Sequence, residues 1–159
     1  MRRVFRTGLC AIAIAASFAQ AGVVSSHGAL KVKGNKIVDA SGNPIQVAGM
    51  SLFWSGWMGK YWNTGVVNTL VNNWNSSLVR AAMGIEGGGN YLGPKSSTDK
   101  RTDEQIKQAN KDMVKTVVSA AIANDVYVII DWHDHNANAH LSEAESFFSE
   151  MSLFYKNTP

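Results

Sequence analysis

Asp131, His133, Asp134 and His135 crowd together around Trp132, directly after the apolar run Val126-Tyr127-Val128-Ile129-Ile130. Carboxylates and imidazoles placed this densely can move protons, hold a substrate by hydrogen bonds or bind a metal. His133 and His135 are two residues apart, so on extended backbone both point to one side. His-x-His at a strand end can begin a zinc site, but no third histidine or carboxylate is firmly placed beside the pair. A neutral histidine that hydrogen-bonds substrate is the stronger reading of His133. Arg80 stands inside the apolar stretch Leu78–Met83. A guanidinium stays charged, so a buried one requires a carboxylate partner, whether as a structural ion pair or as support for a reacting acid. Trp54, Trp57 and Tyr61 could offer flat apolar faces to sugar rings, although core filling accounts for at least one of them. Glu86 is the best-placed loop carboxylate, where the ordinary role is simple solvation.

The elements that must carry these residues follow from periodicity. Five apolar residues without alternation, Val126 to Ile130, read as a strand covered on both faces, as in a parallel sheet between layers. Leu78–Met83 and Ile45–Met50 read as two more strands. Ala29–Lys33 and Lys36–Asp39 flank Gly34-Asn35, a hairpin signal, and Ala40–Pro44 is a loop. Asn63 or Thr64 caps a helix with Val67, Leu70, Val71 and Trp74 on one face. Thr102 and Gln105 form a capping box ahead of Ile106, Ala109, Met113, Val117, Ala120 and Ala121. Ser142 and Glu145 predict a second one, opening a helix with Ala144, Phe147, Phe148, Met151, Phe154 and Tyr155. The alternation of strand and helix predicts a parallel sheet with crossover helices. The long loops, Ser51–Trp62, Gly84–Arg101 and Trp132–His140, all follow strand ends. That asymmetry fits the N-terminal part of a (β/α)8 TIM barrel, about three βα units plus the leading hairpin, since a whole barrel takes about 250 residues.

Composition narrows the partners. The chain has 159 residues, 45% of them hydrophobic. Arg2, Arg3 and Arg6 precede the apolar stretch Gly8–Phe18, and Ala19-Gln20-Ala21 closes it, the order of a secretory signal peptide. Residues 1–21 are therefore expected to be removed, leaving 22–159 as the barrel portion. Cleavage takes three of fifteen basic residues and none of the twelve acidic ones, so the remainder balances twelve against twelve. A neutral chain gives no reason to expect nucleic acid. The single cysteine, Cys10, leaves with the leader, so neither disulfide nor thiolate chemistry is expected. Gly22–Gly28 is small and polar and reads as a flexible lead. Asn75-Ser76-Ser77 matches the glycosylation acceptor pattern, which matters only in a eukaryotic host.

Three motifs then take a familiar form. Gly49-Met50-Ser51-Leu52-Phe53-Trp54, Val79-Arg80-Ala81-Ala82-Met83 and Ile130-Asp131-Trp132-His133-Asp134-His135-Asn136 resemble glycoside hydrolase family 5. The likeness is greatest to its secreted endo-β-1,4-glucanases, and it covers nearly the whole of residues 22–159. It implies a (β/α)8 barrel and retaining hydrolysis of internal β-1,4-glucosidic bonds by two glutamates, one an acid/base and one a nucleophile. The acid/base motif is expected shortly beyond Pro159 and the nucleophile further on, so no carboxylate among residues 1–159 takes either role. The resemblance makes Arg80 the arginine that keeps the nucleophile ionised, His133 a histidine bonding the sugar at the cleavage site and Trp57 an aromatic platform. Trp54 and His135 are candidate substrate contacts beside them. Phe53 and Gly84 depart from the bacterial pattern, where histidine and tyrosine are usual, which leaves the preference among β-glucan, xylan and mannan open. The expected protein is secreted, needs no cofactor, leaves the membrane after signal cleavage and acts as a monomer on a β-linked polysaccharide. The alternatives are a mannanase or xylanase of the same family, a zinc-dependent barrel hydrolase and a non-catalytic sugar-binding protein.

Overall fold

The computed structural model describes residues 22–159, so the signal-peptide reading of residues 1–21, Cys10 included, lies outside the described residues. In chain order the elements are α1 (Val23–His27), β1 (Lys31–Lys33), β2 (Lys36–Val38), β3 (Gly49–Leu52), α2 (Ser55–Met58), a 3-10 turn at Gly59–Tyr61, α3 (Thr64–Trp74) and β4 (Leu78–Gly84). They continue with α4 (Asp103–Ala123), β5 (Tyr127–His133), a 3-10 turn at Ala137–Ala139 and α5 (Leu141–Phe154). Strands β1 and β2 form an antiparallel hairpin with Lys33 opposite Lys36. Only Gly34 of its two turn residues has positive φ, 62°, the arrangement of hairpin turns led by glycine. Strands β3, β4 and β5 lie side by side and parallel in that order. Helices α3, α4 and α5 follow them in turn, giving three βα units behind a hairpin.

The register decides which residues share a face. Ser51 lies beside Arg80 and Arg80 beside Ile129; further along, Ala82 lies beside Asp131 and Gly84 beside His133. Because side chains alternate, Leu52, Val79, Ala81, Met83, Val128, Ile130 and Trp132 share the other face. There they pack with Val67 of α3, Val114, Val117, Val118 and Ala121 of α4, and Phe147 and Met151 of α5. Val67, Val79, Val114 and Val117 are wholly buried, each worth about 1.5–3 kcal/mol of transfer free energy. The face with Ser51, Arg80, Asp131 and His133 is the open one, and Ile129 on it is 45% exposed. The expectation that β5 is covered on both faces is therefore corrected: within residues 22–159 it is an edge strand with its apolar core on one side only.

Three other expectations change. The strand placed at Ile45–Met50 runs instead over Gly49–Leu52, because Pro44 bridges Val38 and the Ile45 N–H donates to the Ile37 carbonyl. The preceding residues are thus drawn to the hairpin rather than to the parallel sheet. Gly49 permits the close approach to β4, since a Cβ there would run into the Leu78 carbonyl. The lead Gly22–Gly28 is not loose: α1 is held by the Asp125 carboxylate, which accepts from the Ser25 N–H at 3.1 and 3.2 Å. The capping box at Ser142 does not form. Helix α5 begins at Leu141, behind a His140 that makes no side-chain cap, and the Ser142 hydroxyl donates to Glu143 instead.

The box at Thr102 forms as expected. The Gln105 N–H donates to Thr102 Oγ1 at 3.2 Å, and the Thr102 N–H donates to Gln105 Oε1 at 2.8 Å. Asp103 and Glu104 in the first turn add favourable charge at the positive end of the helix. Thr102→Ala is expected to lower stability by about 1 kcal/mol, read as an earlier midpoint in urea unfolding followed by circular dichroism.

Candidate functional site

Parallel strands end at a common edge, and β3, β4 and β5 deliver the sequence candidates there together. Arg80 joins all three strands. Its Nη1 donates to Ser51 Oγ at 3.1 Å, and its Nη2 donates to Asp131 Oδ2 at 2.7 Å and lies 2.9 Å from His133 Nδ1. His133 Nδ1 is also 3.1 Å from Asp131 Oδ2. One ring nitrogen cannot both accept from Arg80 and donate to Asp131. A guanidinium has only donors, so Nδ1 accepts, and both hydrogens of Nη2 are used, one on Asp131 and one on His133. The neutral imidazole then carries its proton on Nε2. The carboxylate partner that Arg80 required is Asp131. With the two side chains 36% and 23% exposed, the pair contributes only about 1 kcal/mol to stability. Its larger effect is orientation.

The aromatic residues sit beside this cluster. Trp54 stacks on Trp57 with centroids 4.7 Å apart, and Phe53 lies 6.1 Å from Trp57. Trp54 also meets His133 and His135, each at 5.2 Å. Trp54 is 8% exposed and Trp57 54%, so Trp54 serves as backing and Trp57 presents the open ring. Trp62, fully in the core, fixes the turn by donating its Nε1–H to the Phe53 carbonyl at 2.8 Å. Tyr61 is half-exposed and carries Lys60 Nζ 4.9 Å above its ring, apart from the Trp54 stack. Glu86 reaches His135, with Oε1 2.6 Å from Nδ1.

Buried polar groups beneath the rim were not legible as site residues. Asn90 is fully buried; it accepts from the Gly56 N–H at 2.8 Å and donates to the Glu86 carbonyl at 2.6 Å, tying the glycine-rich loop to α2. A Cβ on Gly84 or Gly56 would collide with Asn90. Asn110 of α4 accepts from Ser55 Oγ at 2.5 Å and donates to the Ile106 and Gly89 carbonyls. Asp134 is fully enclosed, bonded to His140 Nδ1 at 2.7 Å, Trp132 Nε1 at 3.2 Å and the Asn136 N–H at 2.9 Å. Burial pushes its carboxyl up, but the hydrogen bonds from His140, Asn136 and Trp132 outweigh burial and hold it below the ordinary value. Asp134 is thus a loop organiser. Its neighbours His133 and His135 are the ones left facing the edge, 28% and 69% exposed. The zinc reading fits poorly, because Arg80 places a permanent cation 2.9 Å from His133. Among the described residues no three His, Cys, Asp or Glu converge as a metal site.

Comparison with known proteins gives the same answer as the motifs. The family model "Cellulase (glycosyl hydrolase family 5)" matches residues 38–159. The chain belongs to that family. Endoglucanase Z of Dickeya dadantii is 46% identical over 133 residues, 82% of this chain and 28% of that protein. An endoglucanase of Clostridium saccharobutylicum is 36% identical over 140 residues, again 28% of its length. The cellulase segment therefore spans little more than a quarter of these relatives. A Cytophaga hutchinsonii structure superposes with a TM-score of 0.76 at 43% identity, covering 87% of this chain and 41% of that one. Thermobifida fusca endoglucanase Cel5A, solved with cellotetraose, superposes at 0.67 with 23% identity, covering 84% and 41%, a likeness of fold. The three βα units and their hairpin are the N-terminal part of the family's (β/α)8 barrel.

Asp134→Asn is expected to destabilise this cellulase segment by about 1–3 kcal/mol at neutral pH, since a buried amide cannot replace the carboxylate toward all three donors. The folded carboxyl titrates below its ordinary value, so its contribution is complete above about pH 4 and is lost as pH falls through the folded value. Denaturant unfolding of both proteins from pH 7 downward should show the gap closing only at the acid end.

Proposed function

We propose that the complete protein is a secreted endoglucanase that hydrolyses internal β-1,4-glucosidic bonds with retention, its two glutamates lying beyond residue 159. The observation that carries this reading is Arg80, which grips Asp131, His133 and Ser51 at the strand ends beside an exposed Trp57. The names of the relatives support the substrate class, as does the cellotetraose bound to the Thermobifida fusca neighbour.

In a retaining mechanism one glutamic acid protonates the leaving oxygen while the other attacks the anomeric carbon, and water then cleaves the glycosyl-enzyme. The residues of this segment supply the setting. Trp57, backed by Trp54, takes the apolar face of a sugar ring. His133 offers a fixed Nε2–H to a sugar hydroxyl. Arg80, anchored through Nη2, keeps an adjacent nucleophile in its carboxylate form by favouring the charged state. His135 is a further contact at the rim. The order of charges and apolar residues in 1–21 supports export, with loss of the leader and action outside the cell.

The full-length protein is expected to cut the viscosity of a soluble β-1,4-glucan well before reducing ends accumulate, faster than it acts on xylan or mannan, and with no loss after chelation. Arg80→Ala should reduce kcat by about 10²–10³-fold, as removal of one charge-stabilising donor group does. Residues 22–159 alone should release no reducing sugar. Wild-type turnover by Arg80→Ala would refute its role, and preferential cutting of mannan or xylan would reassign the substrate.

A further inference from the structure

The hydrogen-bond partners of the two neighbouring histidines assign them opposite tautomers when both rings are neutral. His133 Nδ1 accepts from Arg80 at 2.9 Å, which leaves the proton on Nε2. His135 Nδ1 lies 2.6 Å from Glu86 Oε1, and a carboxylate only accepts, so here Nδ1 carries a proton, and in the neutral imidazole Nε2 is the bare nitrogen. Their ring centroids are 5.6 Å apart. With both rings neutral, the strand-end edge holds a donor, His133 Nε2–H, next to two acceptors, His135 Nε2 and the second oxygen of Glu86.

This patch sits beside the aromatic platform. His135 packs 5.2 Å from Trp54, which stacks on Trp57. Asn90 holds the Glu86 carbonyl at 2.6 Å and the Gly56 N–H at 2.8 Å. The next residue, Gly87, has φ +82° and lies so near the Trp57 ring that an added Cβ would sit 3.2 Å from it. A β-linked glucose unit is flat and apolar on its faces and carries hydroxyls around its equator. Each hydroxyl both donates and accepts. An aromatic face flanked by one donor and two acceptors matches adjacent equatorial hydroxyls on such a ring.

We propose that Glu86 is a substrate-binding residue, oriented by the Nδ1–H of His135, and that Glu86 and His135 accept hydrogen bonds from hydroxyls of the glucan chain next to the unit that His133 contacts. The assignment rests on the endoglucanase reading above. It adds a polar contact drawn from the glycine-rich loop after β4, and so a determinant of which sugar is accepted at the rim.

Two measurements on the full-length protein test it. In the first, long-range proton–nitrogen correlation spectra of imidazole-labelled protein at about pH 8, above the ordinary imidazole range, should show His133 protonated at Nε2 and His135 at Nδ1, with His135→Phe giving the assignment. An Nε2-protonated His135 would overturn the proposal. In the second, Glu86→Ala and His135→Phe should each raise KM for cello-oligosaccharides about tenfold, the loss of one charge-assisted hydrogen bond, with kcat changed less than about twofold. Wild-type KM in both variants would overturn the assignment while leaving the endoglucanase reading intact. An unmutated protein that does not cut β-1,4-glucan would overturn both.

Discussion

A cation that cannot shed its proton, set into a parallel strand, constrains everything around it. Arg80 could be accommodated only if β3 and β5 presented acceptors at its own level, and the register supplies them: Ser51 is its neighbour on one side and Asp131 stands two residues beyond its neighbour on the other. The energy of the Arg80–Asp131 pair is small, because both groups are partly solvated. What it contributes is a fixed direction. Asp131 and His133 are locked to one guanidinium nitrogen, and the imidazole is left with one tautomer. Among the described residues, three of the five guanidinium N–H groups are occupied. The remaining two, the Nε–H and one N–H of Nη1, have no partner among the described residues.

The rim above this anchor is built by close approach rather than by regular structure. The loops after β3 and β4 touch through the buried Asn90 amide, and Gly56, Gly84 and Gly87 allow that contact because any side chain there would meet Asn90 or Trp57. Asn110 repeats the device one layer down, joining α4 to Ser55 and to Gly89. Every polar atom in this bridge that faces the interior is bonded, which makes such a bridge rigid instead of costly. The exposed Trp57 and His135 and the partly buried Glu86 therefore rest on a floor whose polar groups are already satisfied.

Much of this could be seen in the sequence. The alternation of apolar strands with capped helices predicted the parallel sheet, and the polar burst after Ile130 marked the strand end where the candidate residues gather. Arg80 announced itself because a charge in an apolar strand demands a partner, but its partner could not be chosen without the register. The capping box at Ser142 failed because its motif is short and His140, held by Asp134, takes the cap position two residues earlier. The strand expected at Ile45 was lost to competition from the hairpin, a tertiary effect that local propensity does not contain. Asn90 and Asn110 were missed for a plainer reason: a buried amide and a solvated one look alike in a loop or on a helix until the packing is known. Glu86 was visible as a carboxylate, yet only the fold brings it to His135.

The central claim is that Arg80 links the histidine of this segment to a reacting carboxylate contributed by another part of the barrel. A crystal structure of the full-length protein tests it most directly. The account predicts a glutamate carboxylate within hydrogen-bond distance of the two free N–H groups of Arg80, with Nη2 still shared between Asp131 and His133. An Arg80 that meets only Asp131, His133 and Ser51, with no glutamate facing it across the strand ends, would contradict the account.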